Sequence, residues 1–355
     1  MNYDIVVIGG GPAGASFARI IDSKYKVLVI DKRNLNEDKD YIRAKCCGGL
    51  LAPQAQKVLA QMHLGLPKEM LVEPQVFSVK AIDFKSKIQK FYQRNYININ
   101  REKFDRWMFS LIPKNIDVIT KCILKDIRKN KSNIEVELFY NGKLQKIKTK
   151  ILIGADGSNS KVRNKIYKED KIEKYISIQN CYKTKTKMPY FVSVFDNEIS
   201  DFYSWVIQKE DGLFIGTAIK DSKTCHQKYD LLIKKLKNQG FDIGKCIKKE
   251  GTCILRPTKN KDIFLGRENI FLIGEAAGFI SPSSAEGISY ALRSGYLLAE
   301  SINKSYLNHN IKYKRNTLKL RTEIRIKKIK AKIMYNDFLR KWIMKSGVLS
   351  YKDYR

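Results

Sequence analysis

Three glycines with the spacing G-x-G-x-x-G follow a predicted apolar strand, Tyr3–Ile8, and precede a predicted helix, Ala15–Ile21. This pattern presents backbone N–H groups and a helix N-terminus where a pyrophosphate can bind. A second predicted strand ends in Asp31, about 20 residues beyond the glycines, which is the spacing of a ribose hydroxyl partner. The segment therefore predicts dinucleotide binding, with a purely structural glycine turn as the alternative. The candidate binding residues of the turn are Gly9, Gly11, Ala13 and Gly14.

Two further segments repeat the order strand, glycine loop, helix. The first is Lys150–Gly154 followed by Ala155-Asp156-Gly157, and the second is Asn269–Ile273 followed by Gly274-Glu275-Ala276-Ala277. A long helix is predicted from Glu286 to Ser301. We expect all three strands to be central and parallel and to end at these loops. Loops in that position are where α/β sheets bind ligands.

The intervening residues carry the signals of antiparallel sheet. Residues 76–93 and 175–220 alternate apolar and polar residues and are rich in β-branched and aromatic types. Asn141-Gly142 joins two such runs and predicts a type I′ hairpin turn. We therefore expect an α/β fold with three parts: a cofactor domain (1–75, 99–165 and 255–304), an inserted β-rich substrate domain (76–98 and 166–254) and a basic helical segment (305–355).

Composition restricts the class of protein. With 355 residues, 43% of them apolar, the chain can form one large or two ordinary globular domains. Neither a secretory signal nor a bilayer-spanning apolar run is recognisable in it. Seven cysteines, three histidines and the lack of a C-x-x-C motif predict reduced thiols, a cytoplasmic location and no metal site.

The net charge of +32 favours polyanionic partners, although Lys, Ile and Asn are abundant throughout, as in a general compositional bias. Residues 311–345 contain 13 Lys or Arg and two acids. Such a basic amphipathic segment can lie on an anionic membrane surface. The alternative is a helix packed on the protein with a solvated lysine face. No nucleic-acid motif accompanies the charge, so we expect no nucleic-acid partner. The apolar residues at helical spacing are Ile326, Ile329, Ile333, Phe338 and Trp342.

The three glycine units in this order resemble the flavoprotein fold that p-hydroxybenzoate hydroxylase typifies. The resemblance implies a Rossmann-like domain in which the first unit binds the ADP part of FAD and Asp156 lies near the pyrophosphate. In the third unit, Glu275 stands where the family usually has aspartate, and its carboxylate is expected near the ribityl chain or pyrophosphate.

Three other segments resemble geranylgeranyl reductase-like flavoproteins. They are Lys45–Leu50, which contains Cys-Gly-Gly, Tyr203-Ser204-Trp205, which matches the start of Tyr-x-Trp-x-Phe-Pro, and Ser281–Ile288, in which Ala285 replaces a family glycine. Ile207-Gln208 stands in place of Phe-Pro. The likeness covers residues 3 to about 300, and its details resemble the CbrA-type bacterial members of that family.

This resemblance implies the remaining cofactor contacts. The N–H groups of Gly287 and Ile288 face the flavin pyrimidine edge, where a helix N-terminus stabilises negative charge. Glu286 either serves that site or is a local helix acid. The backbone at Gly48 and Gly49 lies against the isoalloxazine ring, and Arg101 reaches the FAD phosphates. Lys32 and Cys122 are also cofactor-binding candidates.

Three residues are candidate catalytic groups. Cys47 falls where the family cysteine lies near the reactive face of the flavin, and inert packing is the alternative. Tyr203 and Trp205 lie two residues apart on one strand face and would line the cavity above the flavin, or are plain core aromatics.

The motifs that are missing from the sequence exclude some classes of redox enzyme. The G-x-G-x-x-G motif occurs once, so NAD(P)H has no second nucleotide domain, and no C-x-x-x-x-C follows it to suggest a disulfide reductase. We expect non-covalent FAD and an external electron donor, which is NAD(P)H, ferredoxin or flavodoxin. The leading hypothesis is an FAD-dependent oxidoreductase that reduces a double bond of a hydrophobic, isoprenoid-type substrate. The alternatives are an FAD-dependent monooxygenase acting on an aromatic or polyketide substrate, and a non-catalytic flavin-binding protein at a membrane surface.

Overall fold

The computed structural model describes residues 1–35, 46–168, 171–305 and 308–351. The chain forms two compact units. The first unit comprises Met1–Ala44, Glu102–Glu173 and Leu255–Lys328, and the second comprises Lys45–Arg101, Lys174–Ile254 and Ile329–Arg355. Residues 45–75, which we expected in the cofactor domain, thus cluster with the second unit, and residues 305–328 cluster with the first.

The strands and helices follow one another along both units. The strands are β1 (Asn2–Ile8), β2 (Val27–Ile30), β3 (Leu50–Leu51), β4 (Val76–Asp83), β5 (Ile88–Asn98), β6 (Asp117–Ile119), β7 (Ile123–Lys129), β8 (Ile134–Tyr140), β9 (Lys143–Gly154), β10 (Lys174–Lys183), β11 (Phe191–Phe195), β12 (Ser204–Lys209), β13 (Gly212–Ile219), β14 (Cys246–Leu255), β15 (Gly266–Arg267), β16 (Ile270–Leu272) and β17 (Ser350–Tyr351). The α-helices are α1 (Pro12–Ile20), α2 (Pro53–Gln61), α3 (Arg101–Ser110), α4 (Lys161–Ile166), α5 (Cys225–Asn238), α6 (Ile288–Lys304), α7 (His309–Asn316), α8 (Leu318–Met334) and α9 (Asp337–Ser346). Two short 3-10 helices cover Lys68–Met70 and Gly274–Ala277.

The first unit is built on an eight-stranded sheet whose main path is β15-β16-β9-β1-β2-β6. Strands β16, β9, β1, β2 and β6 are parallel, and Ile5 stands between Val27 and Ile151 in register. The three strands that precede the glycine loops are therefore neighbours, as we expected. Their near-continuous β-branched runs suit this position, since a central parallel strand is buried on both faces.

Helices α1 and α6 pack closely in the same unit. A Cβ atom at Gly295 would lie 2.3 Å from the carbonyl oxygen of Ala13, so only glycine fits this crossing. The Ser16 hydroxyl donates a hydrogen bond to the carbonyl oxygen of Leu292 at 2.8 Å. The contact holds the helix after the first glycine turn against the helix that begins at Ile288.

The antiparallel hairpin β8–β9 extends the first sheet. Its turn residues Asn141 and Gly142 both have positive φ, 49° and 76°, as a type I′ turn requires. The predicted hairpin is thus confirmed.

The second unit is built on a nine-stranded sheet with the main path β14-β10-β13-β12-β11-β4-β5-β17. Strands β11 and β4 pair in parallel, whereas the pairs β10–β13, β13–β12, β12–β11, β4–β5 and β5–β17 are antiparallel. Helix α5 covers one face through Tyr229, Leu232 and Leu236. Within the described ranges, no helix is long and apolar enough to cross a membrane.

Candidate functional site

The first glycine turn connects β1 to α1 in the first unit. Gly9 has φ +111°, and a Cβ atom there would lie 2.4 Å from the carbonyl oxygen of Ala155. A Cβ atom at Gly14 would lie 1.9 Å from the carbonyl oxygen of Gly9. Gly9 and Gly14 are therefore needed for the turn itself. Gly11 is different, since its nearest neighbour, Nη2 of Arg33, is 3.6 Å away.

Asp31 at the end of β2 is buried and already engaged. Its Oδ2 atom accepts a hydrogen bond from the N–H of Gly10 at 2.8 Å, and its Oδ1 atom accepts one from Nε of Arg33 at 3.2 Å. The Nη1 atom of Arg33 donates to Oδ2 of Asp105 at 2.8 Å. Burial opposes the charge of Arg33, but the two carboxylates outweigh it and raise the pKa of the guanidinium. Asp31 thus orients the turn, and its contact with a ribose hydroxyl stays a prediction.

Arg33 and Asp105 were not among the predicted site residues, although Arg33 lies only two residues beyond Asp31. Of the two further candidates in this region, Lys32 is exposed, whereas Cys122 is 2% exposed and its N–H donates to the carbonyl oxygen of Asp31 at 3.0 Å. Burial raises the pKa of the Cys122 thiol to about 11. Cys122 therefore lies in the core directly behind Asp31 as a neutral thiol.

Asp156 provides a direct test of whether a nucleotide fits the first unit. Its Oδ2 atom accepts the N–H of Lys161 at 2.7 Å and that of Val162 at 3.3 Å, which fixes the start of α4. Its Oδ1 atom is buried and has no hydrogen-bond partner among the described residues. Burial raises the pKa of Asp156. Because a buried polar atom without a partner is costly, this oxygen suits a ligand hydroxyl or N–H group. The residues present therefore fit a bound dinucleotide.

The third loop is anchored on both sides. The N–H of Gly274 donates to the Ser294 hydroxyl at 2.8 Å, and Oε1 of Glu275 accepts the N–H of Leu255 at 3.0 Å. Arg163 is 2% exposed and donates to the carbonyl oxygens of Ser158 at 2.6 Å and Ala276 at 2.9 Å. Arg163 thereby joins the Asp156 loop to the Glu275 loop. The role of Arg163 was not predicted, because an arginine outside a recognised motif is usually solvated.

Gly287 and Ile288 begin α6, with Gly287 at the N-cap position and Ile288 buried. The carboxylate of Glu286 accepts both the N–H and the hydroxyl of Ser289 at 2.8 Å. These two hydrogen bonds are those of a local helix acid, one of the two roles considered for Glu286.

Cys47 is the centre of a polar cluster in the second unit. Its Sγ atom accepts hydrogen bonds from Nη1 of Arg101 at 3.4 Å and from the N–H of Gly49 at 3.5 Å. A cation and a backbone donor next to sulfur favour the thiolate form. Its neighbour Cys46 is buried, which raises the pKa of that thiol to about 12. Lys45, the first residue of this motif, lies outside the described residues.

A buried glutamine connects Cys47 with Trp205. The Nε2 atom of Gln179 donates to the carbonyl oxygen of Cys47 at 3.4 Å and to Oε2 of Glu250 at 3.2 Å. Its Oε1 atom accepts from Nε1 of Trp205 at 2.9 Å. Neither Gln179 nor Glu250 belongs to a recognisable sequence motif. They lie next to Cys47 because strands that are distant in sequence are neighbours in the sheet.

Lys209 holds the backbone around Cys47. Its ammonium group donates to Oδ1 of Asn98 at 2.8 Å and to the carbonyl oxygens of Ile99 and Gly49 at 2.6 and 3.3 Å. Burial lowers the pKa of Lys209 to about 8. Gly49 has φ +61°, and a Cβ atom there would lie 2.5 Å from the carbonyl oxygen of Ile99, so this residue must be glycine.

Gly48, Tyr203 and Trp205 complete the predicted residues of this unit. A Cβ atom at Gly48 would lie 2.6 Å from Cδ1 of Ile207. The rings of Tyr203 and Trp205 lie with centroids 5.8 Å apart, and burial raises the pKa of Tyr203. The indole of Trp205 occupies the space above Gly216, where a Cβ atom would be 2.4 Å from the ring.

Each unit thus gathers its own predicted residues. The first unit brings together the glycine turn, Asp31, Asp156 and the Glu275 loop, and the second brings Cys47, Gly49 and Arg101 together and links them to Trp205. In the portion of the chain that the structure describes, no group of three or more His, Cys, Asp or Glu side chains could hold a metal ion.

Comparison with solved structures identifies the fold. A geranylgeranyl bacteriochlorophyll reductase-like protein from Thermoplasma acidophilum superposes with a TM-score of 0.80 at 18% identity, covering 96% of this chain and 90% of that chain. PqsL, a probable FAD-dependent monooxygenase from Pseudomonas aeruginosa, superposes with a TM-score of 0.70 at 13% identity, covering 98% and 99%. The predicted fold class is therefore confirmed.

Sequence comparison identifies the family. No protein-family model matches the chain. The protein CbrA of Escherichia coli is 40% identical over 356 residues, which cover 99% of this chain and 96% of that protein. The resemblance inferred from the motifs is confirmed at this level, and the chain belongs to the family of the CbrA proteins.

Proposed function

We propose that this protein is an FAD-dependent oxidoreductase that reduces a carbon–carbon double bond of a hydrophobic, isoprenoid-type substrate. The turn Gly9–Gly14 and the loops of Asp156 and Glu275 would hold the cofactor without a covalent bond. The unpartnered Oδ1 atom of Asp156 and the open space at Gly11 support this assignment. Once bound and reduced by an external electron donor, the flavin would supply a hydride to one carbon of the substrate double bond.

The observation that carries the proposal is the contact of Cys47 with Arg101. Reduction of a double bond also needs a proton on the second carbon, and the Sγ–H group of Cys47 is the proposed donor. The thiolate left behind would be stabilised by the guanidinium at 3.4 Å and by the N–H of Gly49 at 3.5 Å. A proton from water then restores the thiol, so the reaction balances with one hydride and one proton added.

The surroundings of Cys47 support a hydrophobic substrate. Tyr203 packs with Phe202 at 4.9 Å, with Trp205 at 5.8 Å and with Phe191 at 6.4 Å between ring centroids. Phe191, Phe202 and Trp205 are buried, and such apolar surroundings favour an apolar chain over a charged substrate. The proposed electron donor is external, namely NAD(P)H, ferredoxin or flavodoxin, because the sequence holds one nucleotide-binding motif.

Anaerobic turnover tests the proposal. The purified chain is loaded with FAD, reduced with dithionite and incubated with a geranylgeranyl lipid, and mass spectrometry measures the gain of two hydrogens per reduced bond. We expect Cys47→Ala to retain the flavin absorption spectrum and to lose about 10²- to 10⁴-fold in rate, the usual contribution of a general acid. Cys246→Ala, a change at a cysteine of β14, is the matched control and should keep the rate.

Other outcomes would favour the alternatives. A product that forms only with oxygen and carries one added oxygen atom would identify a monooxygenase. Bound flavin without turnover by any reductant would point to a non-catalytic flavoprotein. A colourless protein that cannot take up FAD would overturn the cofactor assignment.

A further inference from the structure

Helix α9 packs on the second unit through a charged side chain. Arg340 is 4% exposed, and its Nε atom donates to Oδ2 of Asp83 in β4 at 2.9 Å. Its Nη2 atom donates to Oδ1 of Asp337 at 2.8 Å, and Asp337 also pairs with Lys85 at 2.7 Å. One turn further along, Met344 is buried against Ala81 and Phe195. The inward side of α9 is therefore built on Arg340 and Met344.

The opposite side of α9 is apolar and exposed. Phe338 and Trp342 are 66% and 65% exposed, and their rings lie one turn apart with centroids 6.1 Å from each other and planes tilted by 55°. Leu339 and Ile343 are exposed beside them. A helix on a globular protein normally turns its apolar side inward, so this arrangement is inverted. Exposed apolar clusters of this kind mark interaction surfaces.

The exposed side is held firmly in place. The side chain of Asn336 caps α9 by accepting the N–H of Leu339 at 3.0 Å. After the helix, Gly347 and Leu349 adopt positive φ, 68° and 61°, and Ser350 pairs with Tyr92 of β5. The turn leaves Val348 and Leu349 exposed next to α9. Both ends of the helix are thus anchored, and the apolar residues are presented in one orientation.

The charged residues around the exposed side of α9 are mostly lysines. Lys341 and Lys345 of α9 and Lys330 and Lys332 of α8 are exposed. The one acid between residues 329 and 351, Asp337, is engaged by Arg340 and Lys85. Lysines complement anionic lipid headgroups, while Trp and Phe suit the boundary between headgroups and acyl chains.

We propose that the outward side of α9 docks this protein on the surface of an anionic phospholipid membrane. Phe338, Trp342 and the neighbouring apolar residues enter the headgroup region, and Lys341 and Lys345 contact lipid phosphates. Of the apolar residues that suggested an amphipathic segment in the sequence, all five are exposed in the structure: Ile326, Ile329, Ile333, Phe338 and Trp342. The inference depends on this surface and not on the proposed reaction.

Vesicle flotation with the full chain tests the inference. We expect binding to vesicles of equimolar phosphatidylcholine and phosphatidylglycerol, little binding to phosphatidylcholine alone, weakening by salt, and a blue shift of Trp342 emission on binding. Phe338→Ser/Trp342→Ser should lower the partition coefficient about tenfold or more. Phe77→Ser/Ile247→Ser removes two exposed apolar side chains elsewhere in the second unit, 65% and 53% exposed, and should bind like the wild type.

A charge variant tests the lipid specificity separately. Lys341→Gln/Lys345→Gln should lower partitioning into the anionic vesicles about 25-fold, since each lysine near such a surface adds about fivefold. Lys234→Gln/Lys237→Gln, two exposed lysines of α5, is the matched control. Equal binding by the wild type and both α9 variants would overturn the proposal. So would the absence of vesicle binding together with a dimer, seen in sedimentation, that Phe338→Ser/Trp342→Ser dissociates, because the occupant would then be a second copy.

Discussion

The Sγ atom of Cys47 lies 3.4 Å from Nη1 of Arg101, the first residue of α3. A guanidinium at this distance favours the thiolate, because an adjacent positive charge lowers the pKa of a thiol. The contact gives Arg101 a role next to sulfur in addition to the phosphate contact that the family resemblance implies.

The first prediction concerns the reactivity of Cys47. Arg101→Gln should raise the pKa of the Cys47 thiol and slow its alkylation by iodoacetamide at neutral pH about tenfold, because less thiolate is present. Mass spectrometry identifies the modified cysteine and gives the rate. Arg106→Gln, on the same helix but paired with Glu102 at 3.0 Å, is the control. An unchanged rate in Arg101→Gln would show that the guanidinium does not act on sulfur.

The second prediction concerns the pH dependence that Lys209 contributes. Burial lowers the pKa of Lys209 in the folded protein to about 8, from 10.5 for an ordinary lysine. Between these values the unfolded chain binds one more proton, so the free energy of unfolding rises with pH in this window. Relative to that of Lys209→Met, the free energy of unfolding of the wild type should rise by about 1–2 kcal/mol from pH ~7.5 to ~9.5. Urea unfolding of both proteins at the two pH values measures the gain.

A change at an exposed lysine provides the reference for that experiment. Lys234→Met in α5 should differ from the wild type by the same amount at both pH values. If Lys209→Met also shows a constant difference, then the Lys209 ammonium is not destabilised by its surroundings.

The third prediction concerns the fit of Trp205 over Gly216. A methyl group at position 216 would lie 2.4 Å from the indole, so Gly216→Ala must displace the ring and break its hydrogen bond to Gln179. We expect a loss of about 1–3 kcal/mol in the free energy of unfolding, as for other overpacked sites. Near-UV circular dichroism should report the displaced tryptophan.

Gly251→Ala is a suitable comparison, since the nearest atom to its Cβ would be 3.7 Å away. It should cost less than Gly216→Ala and leave the near-UV spectrum unchanged. Equal spectra for both variants would mean that the Trp205 ring tolerates the methyl group.

The fourth prediction concerns Asp156 and cofactor affinity. Burial raises the pKa of Asp156, so in the folded state without cofactor its charge is unfavourable at neutral pH. Asp156→Asn should therefore stabilise the apoprotein at pH ~7.5, and the gain should shrink as pH falls through the raised pKa, where wild-type Asp156 becomes neutral. The same variant should bind FAD about 10- to 100-fold more weakly, because a hydrogen bond to a charged acceptor is lost.

Thermal unfolding at two pH values and FAD titration measure these effects. Asp126→Asn alters a carboxylate of the same unit that pairs with Lys165 at 2.7 Å, and it should leave FAD affinity unchanged. A normal FAD affinity in Asp156→Asn would remove Asp156 from the cofactor site.

Much of the first unit could be predicted from the sequence. The glycine turn, the three parallel strands and the Asn141-Gly142 hairpin were all predictable, because each depends on residues within a few positions of one another. The hydrogen bond from Arg163 to Ala276 could not be predicted, since the two residues lie 113 positions apart. The same holds for Arg33 and Asp105, which are 72 residues apart, and for Cys47 and Gln179, which are 132 apart.

The sequence by itself determined which residues share a helix face or a turn. In α9 it placed Phe338 and Trp342 on one side, as the helical repeat requires. Only the tertiary structure decided that this side is exposed, because the ion pair that buries the other side joins Arg340 to Asp83, 257 residues away. Periodicity groups side chains by face, but which face is packed depends on contacts between distant strands and helices.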